Sequence, residues 1–255
     1  MNYRYLFGAP VLPCQPSADG QRDLFVLGAY PSALHVKWLD PAGERLIEAI
    51  AVGNEPTPFW AGEDQKGRIA AWVAEQGIRP EWGSFERCEH NGASGTKLNK
   101  MLFEPLRLSR LQAWITDCLD EYHQSRDARR AMSRSAVLKM LSDHEIVPSN
   151  HRSHPLENQI VAQALEHHLP RLRRELATAR PQLVVTLGNA ALRVFRELAE
   201  VEEGPLTLSP ELDLYGKSYG ARIKGRLVEW LPLAHPAAPS HYQKTHEHWK
   251  DARKA

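Results

Sequence analysis

Cysteine is scarce: Cys14, Cys88 and Cys118 are the only three in 255 residues. No two stand in a Cys-x-x-Cys spacing, so neither a zinc knuckle nor an iron–sulfur cluster is expected, and no cofactor or metal is. A sparse, odd set of thiols reads as reduced, which suits the cytoplasm. Long apolar runs are missing too. None approaches the ~20 residues of a membrane-spanning helix, and the opening "MNYRYLFGAP" lacks the apolar centre of a secretion signal. A surplus of one charge sign is absent: 32 Lys and Arg stand against 31 Asp and Glu, so the total points to no partner. There is no internal repeat, low-complexity block or obvious linker. The first strand-like run is followed by "LGAYPSA" (27–33), whose single glycine argues against a Gly-rich phosphate loop and hence against a Rossmann-like enzyme acting on a small nucleotide.

What the chain does have is an alternation of strand-like and helix-like stretches. "LFVLGAYP" (24–31) is a short buried-strand pattern ending in Gly and Pro. "HVKWLDPAGERLIEAIAV" (35–52) predicts a hairpin turning at Asp40-Pro41-Ala42-Gly43. "DQKGRIAAWVAEQG" (64–77) predicts a helix closed by Gly77, and "TKLNKMLFEPL" a second, amphipathic one. "LQAWITDCL" (111–119) is a strand candidate. Helical patterns follow over 125–142 and 157–179. "PQLVVTLGNAALRVF" (181–195) is a β-branched run, a glycine and a helix, the pattern of a parallel α/β sheet. "GRLVEWLPLAH" (225–235) is the last strand, and "HYQKTHEHWKDARK" the last helix. The expected fold is one α/β domain over residues 1–255, a central, mostly parallel sheet flanked by helices, with a hairpin and loop inserted over 35–60.

Basic residues gather between Arg126 and Arg180, among them Arg129, Arg130, Arg134, Arg171 and Arg174. They either oppose phosphates or coat solvated helix faces. In open α/β sheets ligands gather beyond the C-terminal strand ends. Three such ends carry polar chemistry: Tyr30-Pro31-Ser32, Asp117 and His235-Pro236. Singly, each has an ordinary explanation as a turn, a cap or an idle histidine. Together they describe one cleft.

In this order the motifs resemble the uracil-DNA glycosylase superfamily. "LGAYPS" sits where that family has its first Gly-x-x-Pro motif. "NGASGTKLNKMLFEPLRLSRLQAWITDC" is similar to its Gly-x-x-Gly-x-x-Leu helix and base-reading strand, "ARPQLVVTLGNAALRVF" to its third strand and helix, and "LPLAHPAAPS" to its closing His-Pro motif. The resemblance implies a uracil-DNA glycosylase-like fold, acting as a monomer on DNA and away from membranes. It implies an enzyme that flips one nucleotide out of DNA and hydrolyses its N-glycosidic bond through an oxocarbenium-like sugar. His235 would donate a hydrogen bond to the leaving base, and Pro236 and Pro239 would stiffen the loop behind it. Ser32, Arg152, Pro239 and Ser240 are the expected DNA contacts.

The departures from the family pattern carry as much information. The family's water-positioning Asp or Asn is replaced by Tyr30, a poor base at neutral pH, and a second acidic position by Ala29. Glu55 in "VGNEPTPFW" is the substitute candidate, lying just before the aromatics; the alternative is a loop carboxylate facing solvent. Phe59 or Trp60 would stack on the base, an interaction worth about 1–3 kcal/mol, with core packing as the competing explanation. Asp117 stands where the family usually has asparagine. An ionised aspartate only accepts hydrogen bonds, which suits the exocyclic amine of a cytosine-type base better than uracil O4. A modified cytosine in viral DNA, and so a role in repair or anti-phage defence, is the expected target. The competing reading is a catalytically silent nucleic-acid-binding member of the fold, favoured by Ala29 and Tyr30.

Overall fold

The computed structural model describes residues 3–253. The first strand, β1 (Leu24–Gly28), is buried along its whole length. A hairpin follows, β2 (Ala33–Leu39) and β3 (Arg45–Asn54), turning over residues 40–44 as Pro41 and Gly43 predict. Next come α1 (Gln65–Glu75) and β4 (Ser84–Arg87). Helix α2 (Ala93–Leu98) continues through a π-helical turn (Asn99–Phe103) into α3 (Glu104–Leu106). Beyond β5 (Ala113–Asp117) lie β6 (His123–Gln124), α4 (Arg126–Met132), α5 (Ser135–Asp143) and β7 (Arg152–Ser153). Helix α6 (Glu157–Gln163) passes through a second π-helical turn (Ala164–His168) into α7 (Leu169–Ala179). The chain closes with β8 (Leu183–Leu187), α8 (Asn189–Leu198), β9 (Tyr219–Ile223), β10 (Arg226–Leu233) and α9 (Ser240–Asp251).

The central sheet has the order β5-β1-β8-β10-β9. The first four strands are parallel, and β9 joins β10 antiparallel at the edge. Parallel strands are covered on both faces, and the residues alternate accordingly. Phe25 and Leu27 point to one face, into a core closed by Leu172, Leu176 and Phe195. Leu24 and Val26 point to the other, toward Leu98, Leu102 and Trp249. A separate antiparallel sheet, β3-β2-β4, builds its own core around Trp38 with Trp72 of α1 and Val137 and Leu141 of α5.

Several elements differ from the sequence expectation for identifiable reasons. The helix expected over 125–142 is two helices, because Arg134 takes an extended backbone (φ −67°, ψ 141°) between them. The helix expected over 157–179 is continuous only by way of its π turn. Pro170 has no N–H to donate and its ring would collide with the carbonyl of residue 166 in a regular α-helix. Strand β9 carries no strong apolar run, but Lys224 (φ 50°) and Gly225 (φ 77°) form a two-residue turn with both φ values positive, the connection that suits a twisted hairpin.

Arg171, expected either to oppose phosphates or to coat a solvated helix face, points inward instead. Its Nη1 donates to Thr116 Oγ1 (3.1 Å) and to the buried Glu175 (2.8 Å), and its Nη2 donates to the carbonyls of Asp117 (2.7 Å) and Cys118 (3.0 Å). One guanidinium thus clamps the end of β5 to α7. Replacing Arg171 with leucine leaves the buried Glu175 without a cationic partner and with only the Trp114 N–H (3.3 Å), a change that typically costs about 3–5 kcal/mol. Thermal unfolding of Arg171→Leu is expected to show a midpoint lower by about 10 °C.

Candidate active site

The ends of β1, β5 and β10 open into a cleft of about 880 Å³, lined by Tyr30, Glu55, Phe59, Asp117 and His235 among others. Gly28 and Asp117 are register partners across the β1–β5 pair. A Cβ on Gly28 would overlap both Asp117 Oδ1 and the Phe59 ring, so only glycine leaves room for the two side chains. Asp117 is 2% exposed, and neither carboxyl oxygen has a hydrogen-bond partner. Burial first, and then the nearby Glu55 charge, push its carboxyl well above the usual range, while Arg171 pulls the other way. Asp117 is therefore a neutral acid with one donor and one acceptor, both unspent. The guanidinium of Arg171 meets its backbone carbonyl rather than its side chain. A buried, unsatisfied carboxyl costs about 1–3 kcal/mol, a cost that a ligand with matching groups removes.

Glu55 is 6% exposed rather than facing solvent. Its Oε1 accepts from the backbone N–H of Ser32 (2.8 Å). Burial raises its pKa to about 7; the amides of Ser32, Phe59 and Trp60 and the Arg110 guanidinium hold it from going further. A carboxylate that ionises near neutrality is matched to general-base work. Phe59 takes a left-handed backbone (φ 55°), held by Arg110 Nη2 donating to its carbonyl (2.7 Å). Its ring stands 5.5 Å from that of His235, between centroids.

His235 follows the last residue of β10 by two positions and enters a tight turn in which its carbonyl accepts from Ala238 N–H (2.8 Å). Its Nδ1 accepts from Ala237 N–H (3.1 Å). With burial, and secondarily Lys97, pushing the imidazole down to about 4, the ring is neutral and its proton sits on Nε2. The site thus offers one N–H donor, one neutral carboxylic acid and one carboxylate that ionises near pH 7.

A family model described as the uracil DNA glycosylase superfamily matches residues 77–255. The chain belongs to that superfamily. No curated protein matches it at a significant level. The superfamily match spans β5 with Asp117 and the β10 end with His235. Tyr30, Glu55, Phe59 and the β2–β3 hairpin lie before it, and they reach the site through the β1–β5 pairing and the loop after β3.

The remaining expected residues are dispersed. Tyr30 lines the cleft, but burial pushes its hydroxyl up to about 12 and the hydroxyl is hydrogen-bonded to His154 Nδ1. Ser32 sits on the cleft lining and gives its N–H to Glu55. Trp60 does not reach the cleft: it is buried in the hairpin core with its N–H donating to Glu63 O (3.1 Å), because the left-handed Phe59 turns consecutive side chains apart. Core packing therefore claims Trp60. Arg152 is exposed, paired with Glu121 (3.3 Å) and set over the Tyr3 ring. Pro239 and Ser240 form the exposed start of α9, outside the cleft lining. Residues not anticipated from sequence also line it, notably His35, Tyr122 and His123. Among the described residues no group of three or more His, Cys, Asp or Glu could hold a metal ion, and no helix is long and apolar enough to cross a membrane.

The raised pKa of Glu55 has a stability consequence. Below about pH 4.5 the carboxyl is protonated folded and unfolded alike. As pH rises toward 7 the unfolded chain ionises freely while the native site resists, so stability falls across that window. Glu55→Gln removes this penalty. Its stability relative to wild type is expected to be higher at pH 8 than at pH 4.5 by up to about 3 kcal/mol, read from denaturant unfolding at the two pH values.

Proposed function

We propose that the protein is a DNA glycosylase that flips a base out of DNA and hydrolyses its N-glycosidic bond, with a modified cytosine as the preferred base and a role in repair or anti-phage defence. The observation that carries this reading is the convergence of a carboxylate ionising near neutrality, a neutral imidazole presenting Nε2–H and an unpartnered carboxylic acid in one cleft. Superfamily membership supports the reaction class.

The flipped base stacks on Phe59 and meets Asp117 with its pairing edge. The proton on Asp117 is shared with cytosine N3, and its carbonyl oxygen accepts from the exocyclic amine. As the bond from C1′ to the base breaks, the electron pair moves to the base. His235 Nε2–H donates to the oxygen where that charge gathers, and the neutral Asp117 adds no repulsion. Ionised Glu55 takes a proton from the water that closes on the oxocarbenium-like C1′. Since no protein group fixes which Asp117 oxygen holds the proton, the same acid also matches O4 and N3–H of uracil.

A specific observation favours the silent alternative. Tyr30, at the turn where the superfamily's water-positioning residue is expected, holds its proton to about pH 12 and spends its hydroxyl on His154. Glycosylase activity then depends on Glu55. Oligonucleotides carrying single test bases, treated with alkali to cut abasic sites, separate the two readings; absence of cleavage for every base supports the silent one.

His235→Ala is expected to keep its melting temperature and DNA affinity while turnover falls about 100- to 1000-fold, the usual cost of one lost donor to a developing anion. Unchanged turnover would remove His235 from the chemistry. Asp117→Leu, which removes both the donor and the acceptor, is expected to lower release of uracil and of cytosine-type bases by about tenfold or more. Unchanged release means that Asp117 does not read the base.

A further inference from the structure

The cleft is larger than one base requires. Its volume of about 880 Å³ is near the upper end of the ~300–1,000 Å³ range of pockets that enclose whole drug-sized ligands. Phe59, Asp117 and His235 occupy one end. The lining continues past Ser32 and His35 to Ile47 and Ala49 of β3 and to Ser125 and Ala128 at the start of α4. This second compartment exists because the β2–β3 hairpin and the β6–β7 pair stand beside the strand ends.

Its lining identifies what it can hold. His35 Nδ1 donates to Ala33 O (2.9 Å) and His123 Nδ1 to Ser153 O (3.1 Å). Burial pushes both imidazoles down, His35 to about 4, so both rings are neutral and each offers Nε2 as an acceptor. Aromatic edges stand beside them: His35 against Tyr122 (5.9 Å between ring centroids) and His123 against Tyr30 (5.3 Å). The charged residues of this end balance, with Arg45 and Arg134 against Glu48 and Asp127, and Arg45 is already paired with Glu48 (2.6 Å). A phosphate finds no surplus of cations there, and an ammonium no surplus of anions. Neutral groups that donate hydrogen bonds and present C–H faces to rings fit: hydroxyls on a saturated ring.

We propose that this compartment receives a bulky, uncharged, hydroxylated substituent of hexose size carried by the flipped base. The proposal rests on the glycosylase reading and names its substrate class. It also supplies the selection that Asp117 alone does not, since a compact uracil leaves the acceptors of His35 and His123 to water.

The test uses the full chain and duplexes that each carry one uracil, cytosine, 5-hydroxymethylcytosine, or 5-hydroxymethylcytosine bearing a glucose on its hydroxyl. Base release and duplex affinity are measured in parallel. Release of the glucosylated base is expected to exceed that of 5-hydroxymethylcytosine by about 100-fold or more in kcat/KM, because a polar site discriminates strongly against a ligand lacking its hydroxyls. Ala49→Phe, which fills the compartment, is expected to cut the glucosylated-to-hydroxymethyl ratio at least about tenfold. The ratio is read within one protein and so is independent of the amount folded. Equal or faster release of the compact bases overturns the substituent proposal and leaves the glycosylase reading standing. If no base is released, the glycosylase reading fails. A tenfold tighter Kd for the glucosylated duplex then still supports the compartment in a silent protein, and equal Kd values overturn it as well.

Discussion

A carboxyl group buried without a partner at the end of a parallel strand is costly, and the neighbourhood of Asp117 is organised to tolerate that cost. Arg171 secures the carbonyls of Asp117 and Cys118 and so holds the strand end in place, yet it leaves the side chain untouched. Across the β1–β5 pair only a glycine fits. Phe59 adopts a left-handed backbone to bring its ring against the same space. Glu55, buried nearby, raises the cost of a second charge, so the two carboxyl groups resist being ionised together. Each of these features is unfavourable or neutral by itself. They make sense as parts of a pocket whose missing hydrogen bonds come from a ligand.

The two sheets share the labour. The parallel sheet is packed on both faces and places Gly28, Asp117 and the approach to His235 at one edge of the molecule with little freedom. The hairpin sheet, with its own core around Trp38, raises a second wall opposite them. Asp117 and His235 sit at the ends of the parallel strands, and Glu55 and Phe59 on the loop directly after β3, so the hairpin contributes to the chemistry as well as to the shape of the cleft.

Much of this was legible in the residues. β1, β5, β8 and β10 read as strands because each is a short run of apolar or β-branched residues stopped by Gly or a polar group, and strand ends in a parallel sheet are where function collects. That logic led to Tyr30, Asp117 and His235, and the loop aromatics led to Glu55 and Phe59; all five line one cleft. Trp60 went to the core because a single left-handed residue reverses the side-chain sequence, and nothing in "TPFW" announces that reversal. Arg171 looked like surface charge because its partners lie 54 and 55 residues away. His35 and His123 stayed invisible for the same reason. They meet Tyr122 and Tyr30 because β1 pairs with β5 and brings together the segments that follow those two strands, and pairings between distant segments leave little local trace.

The π-helical turn before Pro170 sets the phase of everything that follows it. With 3.6 residues per turn, removing one residue there would rotate α7 by about 100° relative to α6. Arg171 lies immediately beyond Pro170, and such a rotation would carry its guanidinium off the end of β5 and leave the strand tip that bears Asp117 unanchored. A surface loop of this length absorbs an inserted or deleted residue with little loss. This helical stretch acts instead as a keyed joint, in which the count of residues, more than their identity, is held fixed by a contact on the far side of the sheet.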